Sequence, residues 1–256
     1  MPGGIFDSSK TRVAPVFDAL ARSGKNWVPK LLQLAEHSPY RAAVEGLDLE
    51  YLNGGWGTNE MPLAPPVGLL SWMIRNPSML RPQKSDHPDR VSLLDGEPQA
   101  TALALDSLRT SASHRAWYVF EGPTVPDAYI ETPDALIVVE GKRTEAGPTT
   151  DTTWLSGRHQ IWRHIDAAWE RRARRRVFGL FIVEGTPGTG AVPAAWRAAV
   201  EDALTPSALA SSFPHRGPEE RDAIAAALVG VTTWQRVVES FGLPSSTLIE
   251  RLPSAL

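Results

Sequence analysis

Pro126-Asp127-Ala128-Tyr129-Ile130-Glu131-Thr132-Pro133-Asp134-Ala135-Leu136-Ile137-Val138-Val139-Glu140-Gly141-Lys142 is the stretch on which the reading of this chain turns. Two β-prone runs flank Thr132-Pro133-Asp134, which has the composition of a turn, so the segment predicts a β-hairpin. With the turn centred on Pro133-Asp134, antiparallel pairing sets Asp127 opposite Glu140, and directly opposed residues share one face of a sheet. Lys142 lies two residues past Glu140, so strand alternation puts it on that face as well. Two carboxylates and one ammonium then converge at the open end of the hairpin. Like charges opposed in this way destabilise a sheet unless something neutralises them, and a divalent cation would do so. Magnesium prefers hard oxygen ligands and keeps several waters, so two carboxylates are a typical protein contribution. Such an ion polarises a phosphate and lowers the pKa of a water, while a nearby lysine orients that water or balances charge on the phosphate.

Working outward, apolar spacing predicts helices over Thr11–Arg22, Trp27–Leu34 and Val67–Ile74. Asn53–Pro66, rich in Gly, Asn and Pro, reads as a loop, and so does the polar Arg81–Arg90. Pro98–Leu108 reads as a helix and Ala116–Glu121 as a strand, ahead of the hairpin strands Asp127–Glu131 and Ala135–Arg143. A long helix, Trp154–Arg172, follows, then a strand, Arg176–Glu184, and a Gly/Pro turn, Gly185–Gly190. Helices are predicted over Ala194–Leu204, Pro218–Val229 and Thr232–Phe241. The order helix, three strands, helix, strand describes a mixed α/β domain. The expected division is a helical and loop region over 1–95 packing on the core, a core over 96–190 and a helical region over 191–256, together one compact domain.

The Pro-Asp pair, with Asp127 thirteen positions before the first residue of Glu140-Gly141-Lys142, resembles the motif of the PD-(D/E)XK nuclease superfamily. The resemblance covers about a third of the chain. It implies a restriction-endonuclease-like fold: an α/β core with a central mixed sheet of about four strands flanked by helices, here with N- and C-terminal helical additions. It also implies a Mg²⁺- or Mn²⁺-dependent deoxyribonuclease that hydrolyses phosphodiester bonds. Asp127 and Glu140 would hold the metal and Lys142 would assist the attacking water. DNA is the implied substrate, and double-strand cutting would suggest a homodimer. A binding module on the same fold without catalysis is the alternative.

Other residues extend this reading. Gln160 and His164 are neighbours on one helical face. The RecB-type branch of the superfamily carries Gln-x-x-x-Tyr there, lining the active site, and His164 stands where that branch has Tyr. Many members also take a carboxylate from the first core helix, for which Glu97 and Asp106 are the candidates. Arg143, Arg158 and Arg163 are candidate phosphate contacts. The run Arg171–Arg176, five arginines in six positions, is readable as a phosphate-contacting patch or as cations at a helix C-terminus. Asp134 also follows a proline, but it would sit at the turn tip, about 20 Å of strand from Glu140. Pro88-Asp89 has no strand pattern behind it. Gly185–Gly190 lacks the Gly-Lys-Ser/Thr ending of a phosphate-binding loop. Thr233–Leu252 faintly resembles a helix-turn-helix, although Val238, Pro244 and Glu250 suit that motif poorly.

Composition sets wider bounds. The 256 residues contain no cysteine, which removes disulfides, thiolate metal sites and cysteine nucleophiles. The net charge of −3 neither requires nor forbids a nucleic-acid partner, which needs only a local basic surface. Met1–Arg12 is polar and no apolar run reaches membrane-spanning length, so the expectation is a cytoplasmic chain with no membrane partner.

Overall fold

A computed structural model of the chain describes residues 7–36, 44–82, 84–110 and 115–250. At its centre is a five-stranded mixed sheet in the order β1-β2-β3-β4-β5, flanked by helices. The strands are β1 (Asn53–Trp56), β2 (Ala128–Glu131), β3 (Ala135–Gly141), β4 (Arg176–Val183) and β5 (Leu228–Thr233). β1, β2 and β3 pair antiparallel, whereas β4 and β5 run parallel to β3. The expected hairpin forms β2 and β3. Its turn is closed by Thr132, whose hydroxyl accepts from the Ala135 N–H at 2.8 Å.

β3 and β4 read as unbroken apolar runs because both faces are covered, as parallel strands require. One face, with Leu136, Val138, Phe181 and Val183, packs on α6 (Gln160–Arg171), α7 (Ala194–Ala203) and α9 (Pro218–Ala225). The other, with Ile137, Val139, Leu180 and Ile182, packs on α1 (Ala14–Arg22), α2 (Val28–Gln33) and α10 (Trp234–Ser240). A separate cluster joins α3 (Val67–Arg75), α4 (Pro88–Leu94) and α5 (Pro98–Thr110) to Tyr118, Phe120 and Leu155. α8 is Pro206–Ser212. Helix α6 makes the crossover from β3 to β4 and lies close on the sheet: a Cβ at Gly179 would come within 2.4 Å of Ile165 Cδ1.

Several expectations are corrected. Asn53–Trp56 is an edge strand, not loop. Its glycines fit where side chains cannot, since a Cβ on Gly55 would lie 2.4 Å from the Asn59 carbonyl oxygen. Ala116–Glu121 is not a strand: Arg90 donates to the carbonyls of Trp117, Ala116 and Val119, taking the acceptors a ladder would use. The second antiparallel partner of β2, besides β3, is therefore β1, from far upstream. The long helix begins at Gln160, not Trp154, because Arg158 is drawn inward and Gly157 adopts φ +72°. The Pro218–Val229 helix ends at Ala225, and Leu228–Thr233 enters the sheet through a bulge in β5 at Val229, followed by Gly230 at φ +128°. The sheet thus has five strands, not four, and it draws strands from all three expected regions. Between α10 and Glu250 there is one 3-10 turn, Ser245–Thr247, and no second helix of a helix-turn-helix. Residues 251–252 of that stretch lie outside the described residues.

Candidate active site

Parallel strands present their carboxyl ends to ligands in open α/β sheets. The conspicuous ionisable cluster lies at the carboxyl end of β3. Ala128 pairs with Val139, so the same register carried one residue further sets Asp127 against Glu140. Asp127 Oδ2 accepts from the Gly141 N–H at 2.7 Å, which fixes its carboxylate beside the end of β3. Glu140 is buried, with Lys142 Nζ 2.6 Å from Oε1 and His164 Nε2 2.8 Å from Oε2. His164 Nδ1 in turn lies 2.8 Å from the Thr124 hydroxyl. Thr124 is buried and exchanges both backbone hydrogen bonds with Leu63. His164 therefore links Glu140, at Nε2, to the Thr124 hydroxyl, at Nδ1. Glu140 is thereby held at both oxygens.

The two acids are driven apart. Burial and the charge of Glu140 raise the Asp127 pKa to about 7, against the opposing pull of the Gly141 N–H and Lys142; Glu60 adds to the rise. Glu140 moves the other way. Burial disfavours its charge, but His164 and Lys142 outweigh burial and hold it below the ordinary carboxylate range. Lys142 is raised, because Glu140 and Asp127 overcome its desolvation. The cluster at neutral pH is an ionised glutamate, a charged lysine and a half-titrated aspartate.

Asp127 and Glu140 are the side chains that could hold a hard divalent cation. Glu140 Oε1 is shut from water and faces the Lys142 ammonium at 2.6 Å. Asp127 is raised first by burial and then by the charge of Glu140, and a cation between the two carboxylates would relieve the second effect. Among the described residues no group of three or more His, Asp or Glu side chains has metal-holding geometry. The chain's own contribution would therefore be two carboxylates, with waters completing the shell.

The other expected residues divide. His164 joins the trio. Gln160 opens α6 one turn before it, half-buried, its N–H donating to the Thr149 carbonyl. Glu97 and Asp106 belong with α5, which packs on α3 and α4; Glu97 is exposed ahead of its first turn. Asp134 is a turn residue, receiving the Asp48 N–H. Asp89 sits in the first turn of α4. Arg158 is a correction: fully buried, it grips both oxygens of Glu121 at 2.7 and 2.8 Å, reaches Asp166 at 3.0 Å and donates to the Ser212 carbonyl. No face of it is left for a phosphate. Arg143 ion-pairs with Glu250 at 3.7 Å, and Arg163 stands 3.6 Å from Glu121. Of the arginine run, Arg171 and Arg175 face Glu131, and Arg172 stacks on Trp169 with its guanidinium 3.7 Å from the ring centre. Arg176 pairs with Ala135, at the end of β3 away from the acids.

Sequence reasoning missed Thr124, Glu60 and the buried network in which Asp166 also binds Arg216 at 2.7 Å. None carries a local signal; each is assembled by the fold. No protein-family model, curated protein or solved structure matches the chain. Among the described residues no helix is long and apolar enough to cross a membrane.

Proposed function

We propose that the chain is a metal-dependent nuclease of the PD-(D/E)XK kind that hydrolyses phosphodiester bonds in DNA. The observation that carries the reading is the meeting of Asp127, Glu140 and Lys142 on one sheet face, with Asp127 raised by Glu140. The spatial order supports a restriction-endonuclease-like core: three antiparallel strands, the crossover helix α6, then β4 parallel to β3. Asp127 and Glu140 would hold Mg²⁺ or Mn²⁺, which when bound supplies Lewis-acid polarisation of the phosphate and stabilises the leaving oxygen. Lys142, kept charged by its two acids, acts as a donor and not as a base; it orients the attacking water and balances charge on the phosphate. His164 positions Glu140 and is itself held by Thr124.

A second reading has one specific observation in its favour. Both Glu140 oxygens already face a donor, so the cluster is charge-compensated without an ion, as in a binding module that does not cut. Incubating plasmid and single-stranded DNA with the protein in Mg²⁺, Mn²⁺ or EDTA separates the two. Cleavage that disappears in EDTA and in Asp127→Ala is the expected result. Metal-independent binding with intact DNA in every lane would replace the nuclease reading with the second.

A further inference from the structure

A cavity of about 240 Å³ lies beside the carboxylate pair and is not used by it; Glu121, Asp151, Trp154 and Arg163 are among its lining residues. Its position follows from the chain. Arg163 precedes His164 on α6, and Glu121 lies three residues before Thr124, the residue that meets His164 at the back of the site. The lining of the cavity and the support of the carboxylates thus come from neighbouring residues of the same two segments.

The charges in that wall are unevenly matched. Glu121 is taken at both oxygens by Arg158, and Asp151 faces Arg81 at 2.9 Å. Among the described acids Arg163 meets only Glu121, whose two oxygens Arg158 already holds. Its Nε stands 3.6 Å from Glu121, too far for a hydrogen bond, and is shut from water with no hydrogen-bond partner. A buried donor in that state is costly, and a planar guanidinium suits a phosphate oxygen. Trp154, also in the lining, is half-buried. Its ring is braced by Phe120, with centroids 4.9 Å apart at 67°, and by the Arg90 guanidinium at 5.7 Å. A fixed aromatic face and an under-used cation thus flank a space smaller than the roughly 300–1,000 Å³ of drug-sized ligand sites. Single-strand binders combine these two elements, an aromatic for the base and a cation for the backbone.

We propose that this cavity seats one unpaired nucleotide of the scissile strand, with its phosphate on Arg163 and its base against Trp154. The proposal rests on the nuclease reading for the identity of the strand. It is tested apart from cleavage, in EDTA, on full-length protein carrying Asp127→Asn. A single-stranded hexanucleotide containing 2-aminopurine is titrated at several salt concentrations, alongside the blunt duplex of the same sequence. Arg163→Gln keeps most of the side-chain volume and leaves both Glu121–Arg158 bonds in place. It should weaken single-strand binding about fivefold to tenfold and lower the log–log salt slope by about 0.7. Trp154→Leu should weaken binding about tenfold and leave the salt slope unchanged. The duplex should bind less tightly and ignore Trp154→Leu. Parent-like single-strand affinity in both variants, or equal losses for the duplex, would overturn the proposal. If the losses appear but the unmutated protein cuts nothing in Mg²⁺ or Mn²⁺, the nuclease reading fails and the nucleotide site stands. If cutting is robust and both variants bind normally, the reverse holds.

Discussion

Asp127→Asn should make the metal-free protein more stable at pH 8, although it removes a residue of the candidate site. Asp127 moves from 3.8 to about 7 on folding, chiefly through burial and the charge of Glu140. A carboxyl whose folded pKa is raised favours the fold while protonated, so its contribution is complete below about pH 4. That contribution is lost as pH rises to about 7, and above that the folded state carries the full penalty. Glu140 is depressed, so it is ionised throughout this window and does not mask the trend. Three pH units at 1.36 kcal/mol each give a ceiling of about 4 kcal/mol. Relaxation around a coupled pair lowers this, so about 2–4 kcal/mol is expected, or about 5–15 °C in Tm for a chain of this size. The amide introduced by the substitution offers the same oxygen to the Gly141 N–H, so the hydrogen bond at 2.7 Å survives. Thermal melts in EDTA at half-unit steps from pH 5 to pH 8.5 give the readout. The two proteins should diverge progressively as pH rises from 5 to 7 and run parallel above it. Parallel curves across the whole range, or a variant that melts lower at pH 8, would show that the two acids do not repel each other as the geometry requires.

Lys142→Gln should lower kcat about 10²–10³-fold while single-strand affinity in EDTA changes little; unchanged turnover would remove Lys142 from the chemistry. The same substitution withdraws a charge that lowers Asp127, so the pH midpoint in the melts should rise. Mn²⁺ affinity, followed by calorimetry in buffers of different ionisation enthalpy, should rise between pH 6 and pH 7 with a proton release that shrinks as pH rises; pH-independent binding without proton release would place the metal elsewhere. Arg158→Met should cost about 3–5 kcal/mol in urea unfolding, because it leaves Glu121 buried without its two-point partner and Asp166 with Arg216 as its remaining close partner. A loss under about 1 kcal/mol would mean that Arg216 and water carry the network alone.

The parts of the fold that are legible are those written in short-range periodicity. Leu136–Val139 and Val177–Val183 are buried on both faces and read as strands without ambiguity, and the hairpin turn sets the register that opposes Asp127 to Glu140. What escapes is decided at long range. Gly54 and Gly55 have the composition of a loop, yet they form an edge strand because β2 presents an open ladder and only glycine fits under Asn59 and Tyr129. Trp117, Tyr118 and Phe120 have high strand propensity, but Arg90 claims the carbonyls of this segment and the α3–α5 cluster claims its rings. Leu228–Thr233 follows an alanine-rich run whose spacing predicts helix; tertiary pairing to β4 overrides that local propensity.

The site divides along the same line, and the division is informative about its chemistry. Asp127, Glu140 and Lys142 lie on one hairpin, so sequence spacing alone brings them together. His164 is legible only as a helical neighbour of Gln160, and Thr124 not at all, since the Thr124–His164–Glu140 chain joins a loop, a crossover helix and a strand. Arg158 shows the opposite error. An arginine near a presumed phosphate site invites a binding role, whereas burial beside Glu121 and Asp166 makes it a structural counter-ion. That pairing explains why Arg163, next to His164 in the first turn of α6, lines the cavity with only a long ion pair to Glu121. The acids of the network are matched first by the deepest arginine. The shallower one keeps its charge for whatever occupies the cavity, and this order of matching, not the number of arginines, determines where a phosphate would be held.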